Sequence, residues 1–519
     1  MVYPYRKTIS IDTMLSKSYW SWRASPALSV PTMLATSLSV LSEAIFGMAF
    51  LGMVVDLEKT SWIKEAAAAI GASDYATLGS LLTARLFVET AALFVVPAAV
   101  VTLAVVVLAG GFVYSAEYGS YWKALDGAHV GIPEVMTAFR ERWRPMAWTF
   151  LLSYLVTLGP LIVAVPASAA ILLSSTEVAA LVGAVSLLSV ATVLTLILSS
   201  MLVYTPVAVV AENLSGWAAI SRSLRLSRRN YGVTLTYGVV YVLLTGALTA
   251  ASSLIPEGGL PISSLVTVGV LILVTPVLHM SKTRLFQELD GPEVPPYEFL
   301  PPFSSDLKPM LGSLWSRFLT GLGELKRFAL DPANLPFHAL SALAMVLGWY
   351  AGLYVGQNGV TQLIYGMGYT AGKINPLVSE SLPFSLGVYI FFHNWQVSLA
   401  TALSGVWFSA APFITLFLNG VLIGVVASLV PNTNMLLAAL LPHGIIELPS
   451  FVLAGSAGIK LGVTFLRSVR SDDPTATAEF HSVARQSVYI VVGLALLFLV
   501  AGLIEGNLTP VIMKMAGWS

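Results

Sequence analysis

Uninterrupted apolar stretches of bilayer length recur along this chain, and they leave it few ways to fold. Residues 27–55, 86–113, 147–173, 179–210, 232–255, 263–280, 335–356, 384–407, 411–430, 435–463 and 487–504 each supply the run that a membrane-crossing helix needs, roughly 17–25 mostly apolar residues. Within lipid every backbone polar group must be satisfied by the chain itself, so only helices and closed barrels cross it. The runs here are continuous rather than alternating, which excludes a barrel. Charged residues make up 10% of the chain, against about 25% in soluble domains. The expected fold is an all-α integral membrane protein with about 11 transmembrane helices in two bundles, plus interfacial amphipathic helices.

Acidic and basic residues balance at 27 each, so no global field favours nucleic acid as a partner. The absence of cysteine removes disulfides, thiolate metal sites and thiol nucleophiles. The sequence holds no P-loop, dinucleotide fingerprint, HExxH or GxSxG in a strand–turn–helix setting. No enzyme activity and no cofactor are expected. The first apolar run, Ala27–Val55, is too long for a cleavable signal. With the N-terminus inside, every lysine and arginine but Lys59, Lys64, Arg85, Lys373 and Lys514 falls on an inside segment. That asymmetry predicts a multi-pass protein of the cell membrane with the N-terminus inside and the C-terminus outside.

Three parts follow from the pattern. Residues 1–285 form a six-span module, 286–334 an inside linker, and 335–519 a five-span module. The linker opens with GPEVPPYEFLPPF, whose prolines forbid a continuous helix. It then repeats Leu311, Leu314, Trp315, Phe318, Leu319 and Leu322 at helical spacing, the mark of an interfacial helix.

The first module carries an internal duplication. Val113-Tyr114 leads to GIPEVMTAFRERWRPM, and Val203-Tyr204 leads to GWAAISRSLRLSRRNYG. Each is a span, an inside amphipathic helix, and a span, in the same orientation, which predicts a parallel repeat. Gly131 and Gly216 should start the two short helices, and Pro145 and Gly232 should end them. Arg140, Arg142, Arg144, Arg222, Arg225, Arg228 and Arg229 either anchor these helices on anionic lipid or form a headgroup site between them. The stretch Pro206–Gly232 resembles the membrane domain that precedes the catalytic domain in some glycerophosphodiester phosphodiesterases. No catalytic domain accompanies it here.

The second module centres on Met435–Leu466, MLLAALLPHGIIELPSFVLAGSAGIKLGVTFL. His443 and Glu447 are four apart, so a helix sets them on one face, which continues through Ala454, Gly458 and Gly462. Small residues let another helix approach closely, so the polar pair should face protein. Pro442 and Pro449 bracket the pair and should free the carbonyls of Ala438 and Ile445. Gly348, Gly352 and Gly356, then Gly420 and Gly424, then Gly458 and Gly462, mark close-contact seams. Asn394, Asn419, His443 and Glu447 form either an interhelical hydrogen-bond network or a cation or proton site.

His393-Asn394, Asn419-Gly420, Gly424 and HGIIELPSFVLAGSAGIKLG resemble, in order and spacing over residues 332–510, the stage II sporulation protein M family. That resemblance implies a non-enzymatic membrane scaffold, expected to be a homodimer in the lipid bilayer with other membrane proteins as partners. The alternative is a transporter or channel with its ion site at His443 and Glu447. The resemblance does not extend to the first module.

Overall fold

The structure, a computed structural model, describes residues 11–174, 178–247, 269–290, 306–357, 383–407, 409–430, 432–470 and 473–517. All regular elements among them are helical. In chain order they are α1 (Ile11–Ala24), α2 (Val30–Glu58), α3 (Trp62–Gly71), α4 (Tyr75–Thr83), α5 (Arg85–Leu125), α6 (Ile132–Glu141), α7 (Trp143–Ser174), α8 (Val178–Met201), α9 (Thr205–Ala211), α10 (Trp217–Arg229) and α11 (Tyr231–Val242). They continue with α12 (Thr275–Asp290), α13 (Leu307–Leu330), α14 (Leu335–Val355), α15 (Pro383–Ser404), α16 (Ala410–Leu429), α17 (Thr433–Arg470), α18 (Pro474–Asn507) and α19 (Thr509–Met515). Seven helical stretches among the described residues are long and apolar enough to cross a membrane. The expected spans at 27–55 and 384–407 are also helical, as α2 and α15. The expected spans at 232–255 and 263–280, the proline run 291–303 and the loop 357–383 lie partly or wholly outside the described residues.

The long helices carry internal prolines: Pro97 in α5, Pro160 and Pro166 in α7, and Pro442 and Pro449 in α17. In water each would favour a break. In lipid a broken helix exposes more unmet backbone than the one bond that proline removes, so the helix runs on.

Contacts group the chain into two compact units, the first within 1–32, 107–251 and 268–305, the second within 33–106, 252–267 and 306–519. In the first, Gly111 of α5 lies against the backbone of Ala147 on α7, where a Cβ would have no room. The two repeat copies are fastened by serine. Ser115 Oγ donates to Ala138 O (2.7 Å) and accepts from Arg142 N (3.2 Å), closing the end of α6. In the second copy Ser223 Oγ accepts from Tyr204 N (3.1 Å) and donates to Met201 O (2.9 Å), which also accepts from Ser227 Oγ.

Gly131 and Gly216 do precede the two short helices. Their ends differ from expectation. α6 stops at Glu141 and α10 at Arg229, where Arg142 and Asn230 leave helical geometry. Pro145 instead occupies the first turn of α7, a position where its missing N–H costs nothing, and Gly232 lies inside α11.

The second unit is built on glycine seams. A Cβ on Gly348 or Gly352 would strike Phe417 O or Val421 O, and one on Gly420 or Gly424 would strike Met345 O or Trp349 O. α14 and α16 therefore touch backbone to backbone. Gly387 of α15 meets Gly502 of α18, and Gly405 meets Gly458 of α17. The amphipathic α13 joins this unit through Gly321, whose Cβ would come 2.9 Å from Gly493 N. Its Leu311, Leu314, Trp315 and Leu319 remain exposed. Lys460 of α17 donates to Asn334 Oδ1 (2.8 Å), and Asn334 donates to Phe328 O (2.9 Å), fixing the end of α13 to the core helix.

Candidate intramembrane cation site

α17 carries His443 and Glu447 one turn apart, and both turn towards α18 and α19. There they meet a third group, Glu505. One ligand atom from each of His443, Glu447 and Glu505 lies within 4.8 Å of the others. His443 Nε2 stands 3.9 Å from Glu505 Oε2, too far for a hydrogen bond. His443 Nδ1 is 3.3 Å from Thr509 Oγ1, at the first residue of α19. The Thr509 hydroxyl in turn donates to Ile504 O (3.3 Å), which leaves its lone pairs free to accept. With the proton on Nδ1, the imidazole donates to Thr509 and turns a bare Nε2 towards the carboxylates, the form that a metal ligand requires. Outer hydrogen bonds of this kind orient metal-binding histidines.

Glu447 Oε2 is buried and has no hydrogen-bond partner among the described residues. The His443 and Glu505 side chains keep 12% and 32% exposure. A carboxylate oxygen without a donor, in a bilayer-length helix, demands either a proton or a cation. Imidazole nitrogen and carboxylate oxygen about 2.0–2.2 Å from a tetrahedral ion stand about 3.3 Å apart. The observed spacings, 3.9 Å from His443 to Glu505 and up to 4.8 Å across the cluster, are wider than a closed site by about 0.6–1.5 Å, a gap that side-chain rotation would have to close.

The two asparagines stand elsewhere. Asn419 Nδ2 donates to Thr415 O (2.9 Å) one turn back on its own helix. Leu416, a turn before it, packs on Gly455, two turns beyond Glu447. Asn394 is half-buried on α15. Its neighbour Trp395 donates to Val491 O (2.8 Å), which places Asn394 about 20 Å from Glu505 along α18 at 1.5 Å per residue. The glycine stripe is also displaced from the polar pair. Gly458 and Gly462 face Thr401, Gly405, Ser409 and Pro412 on the α15–α16 side. Helical drift accounts for Gly462, whose azimuth advances by about 100° beyond whole turns from His443, while Gly458 stands nearly in line with Glu447 but about 16 Å further along the axis.

The seven arginines divide by environment. Arg142 bonds Val209 O at 3.5 Å and the side-chain oxygen of Asn213. Arg222 makes a bidentate pair with Glu212, at 2.9 and 2.7 Å. Arg142 thus ties the first copy to the second, and Arg222 braces the second copy internally. Arg140, Arg144, Arg225, Arg228 and Arg229 are exposed. Arg144 lies over the Trp143 ring, 5.4 Å from its centroid.

Sequence reasoning missed two groups. Glu505 sits at the far end of a separate helix, where no local spacing ties it to His443. Glu117 of α5 is buried, 2.6 Å from His279 Nδ1 of α12 and 3.1 Å from the Tyr121 hydroxyl. From sequence His279 reads as interfacial; the fold pairs it across 162 residues with an acid.

Fold and site together define a multi-pass helical membrane protein with a polar cluster inside its second unit. Residues 338–510, which include the cluster, match the family model described as Stage II sporulation protein M. The chain is similar to an uncharacterized protein of Methanocaldococcus jannaschii, 26% identical over 127 residues, covering 23% of this chain and 69% of that protein. No solved structure matches.

Proposed function

We propose that this chain is a non-enzymatic membrane protein whose second unit is a rigid scaffold of the Stage II sporulation protein M type, held by a divalent cation at His443, Glu447 and Glu505. The observation that carries this is the unpartnered Glu447 oxygen beside a second carboxylate and an oriented imidazole. One nitrogen and two oxygen donors suit zinc or manganese better than calcium, which takes six to eight oxygens. The backbone-to-backbone seams support rigidity rather than a wide pore. In the same reading the N-terminus is inside, the cluster lies towards the outer face, and the scaffold works as a homodimer that gathers other membrane proteins in the bilayer.

The test is thermal stability of the purified full-length protein with zinc. Zinc at 100 times its Kd should stabilise the wild type by about 2.7 kcal/mol. Glu447→Gln and Glu505→Gln should fold and lose that gain. Equal gain in all three proteins would refute the site. Zinc uptake into proteoliposomes separates a structural ion from a transported one: a scaffold shows none, and a transporter shows uptake that Glu447→Gln abolishes.

A further inference from the structure

The first unit encloses a cavity of about 410 Å³, within the roughly 300–1,000 Å³ range of ligand sites. Its walls come from α5, α7, α8, the turn into α9, and α12. The lining is unusually rich in hydroxyls for helices of bilayer length. Those of Tyr118, Ser153, Thr195 and Thr205 are buried and have no hydrogen-bond partner among the described residues. Tyr118 and Thr205 are 1% and 2% exposed. Buried hydroxyls left unmet are costly. Four around one space point to an occupant that accepts their protons.

Lys282 lines the same cavity and is 8% exposed. Its ammonium rests 4.8 Å from the centroid of the Tyr118 ring. It makes no ion pair among the described residues. The neighbouring acid, Glu117, is already committed to His279 and Tyr121. A cation without a carboxylate contact and four donors without acceptors therefore face one volume. Phe150, Leu158, Leu202 and Val203 supply apolar wall beside these groups. Tyr154 and Leu158 keep 43% and 37% exposure on α7, a bilayer-length helix, so this flank opens on the apolar surface.

We propose that this cavity binds an anionic amphiphile. Its phosphate or carboxylate head pairs with Lys282 and accepts from Tyr118, Ser153, Thr195 and Thr205, and its tail lies along Phe150 and Leu158. The exposed arginines Arg225, Arg228 and Arg229 take no part, since none lines the cavity. The site is independent of the cation cluster in the second unit.

The experiment titrates full-length protein in a neutral detergent with dihexanoyl phosphatidic acid and, separately, with inorganic phosphate, following the melting temperature. The lipid should raise it saturably in the wild type. Lys282→Met should weaken the apparent Kd about tenfold or more, the loss of a charge-assisted hydrogen bond. Thr205→Val, which removes a single hydroxyl, should weaken it severalfold and serves if Lys282→Met fails to fold. The triple Gln variant of Arg225, Arg228 and Arg229 should bind as the wild type does. Inorganic phosphate should stabilise weakly or not at all. If phosphate alone matches the lipid in a manner that depends on Lys282 and Thr205, the anion site stands and its ligand is a soluble anion, which overturns the amphiphile. The site itself is overturned if neither probe shifts melting, if both single variants bind like the wild type, or if only the arginine variant loses binding.

Discussion

A lone carboxylate at bilayer depth is expensive, and Glu447 shows how a sequence offsets the expense. Its oxygen is sealed from hydrogen-bond donors but shares space with Glu505 and with an imidazole whose other nitrogen is occupied by Thr509. Metal ligands must be deprotonated to bind, so acid competes with the ion. The zinc-dependent gain in stability should be full near neutral pH and fall as the pH drops and the proton reclaims Nε2 and the carboxylates. Melting curves from pH 8 to pH 5, with and without zinc, check this. A gain that is flat across the range would place the zinc elsewhere. Two of the cluster's three residues were legible in the sequence, because His443 and Glu447 are one helical turn apart. Glu505 was not, because its proximity is made by the packing of α17 on α18. Asn394 and Asn419 qualified by being polar in apolar runs, but a residue's depth and facing neighbour are tertiary facts.

Helices here are positioned by what they lack. Glycines four apart in α14 and α16 let carbonyl oxygens approach where a methyl would stand. The same helix can hold glycines of opposite consequence, as α13 does. A Cβ on Gly321 would come 2.9 Å from both Gly493 N and Tyr489 O, whereas one on Gly323 meets nothing within 4 Å. Gly321→Ala should destabilise by about 1–3 kcal/mol through overpacking. Gly323→Ala should stabilise by up to about 1 kcal/mol through helix propensity. Denaturation of the two variants in detergent reads the difference, and equal effects would mean that α13 does not seat on α18. The seams were legible because glycine spacing of four has one structural use in a membrane helix. The ends of α6 and α10 were not, because the proline and glycine that look like terminators fit equally well within the first turn of the next helix.

At the scale of the whole chain, apolar run length and the distribution of basic residues carry the argument. Among the described residues, helices formed where continuous apolar sequence predicted them, since lipid leaves the backbone no other partner. The proposed topology makes a direct prediction, helped by the absence of native cysteine. A cysteine at Arg228 should be labelled only from the inside of sealed vesicles, and one at Lys64 only from the outside. The reverse pattern would invert the orientation.

The central claim is that the second unit holds an ion. Elemental analysis of full-length protein, loaded with zinc and freed of excess metal, tests it most directly. The account predicts about one zinc per chain in the wild type and none in the Glu447→Gln/Glu505→Gln double variant. An unloaded wild type, or a double variant that keeps its zinc, would contradict it.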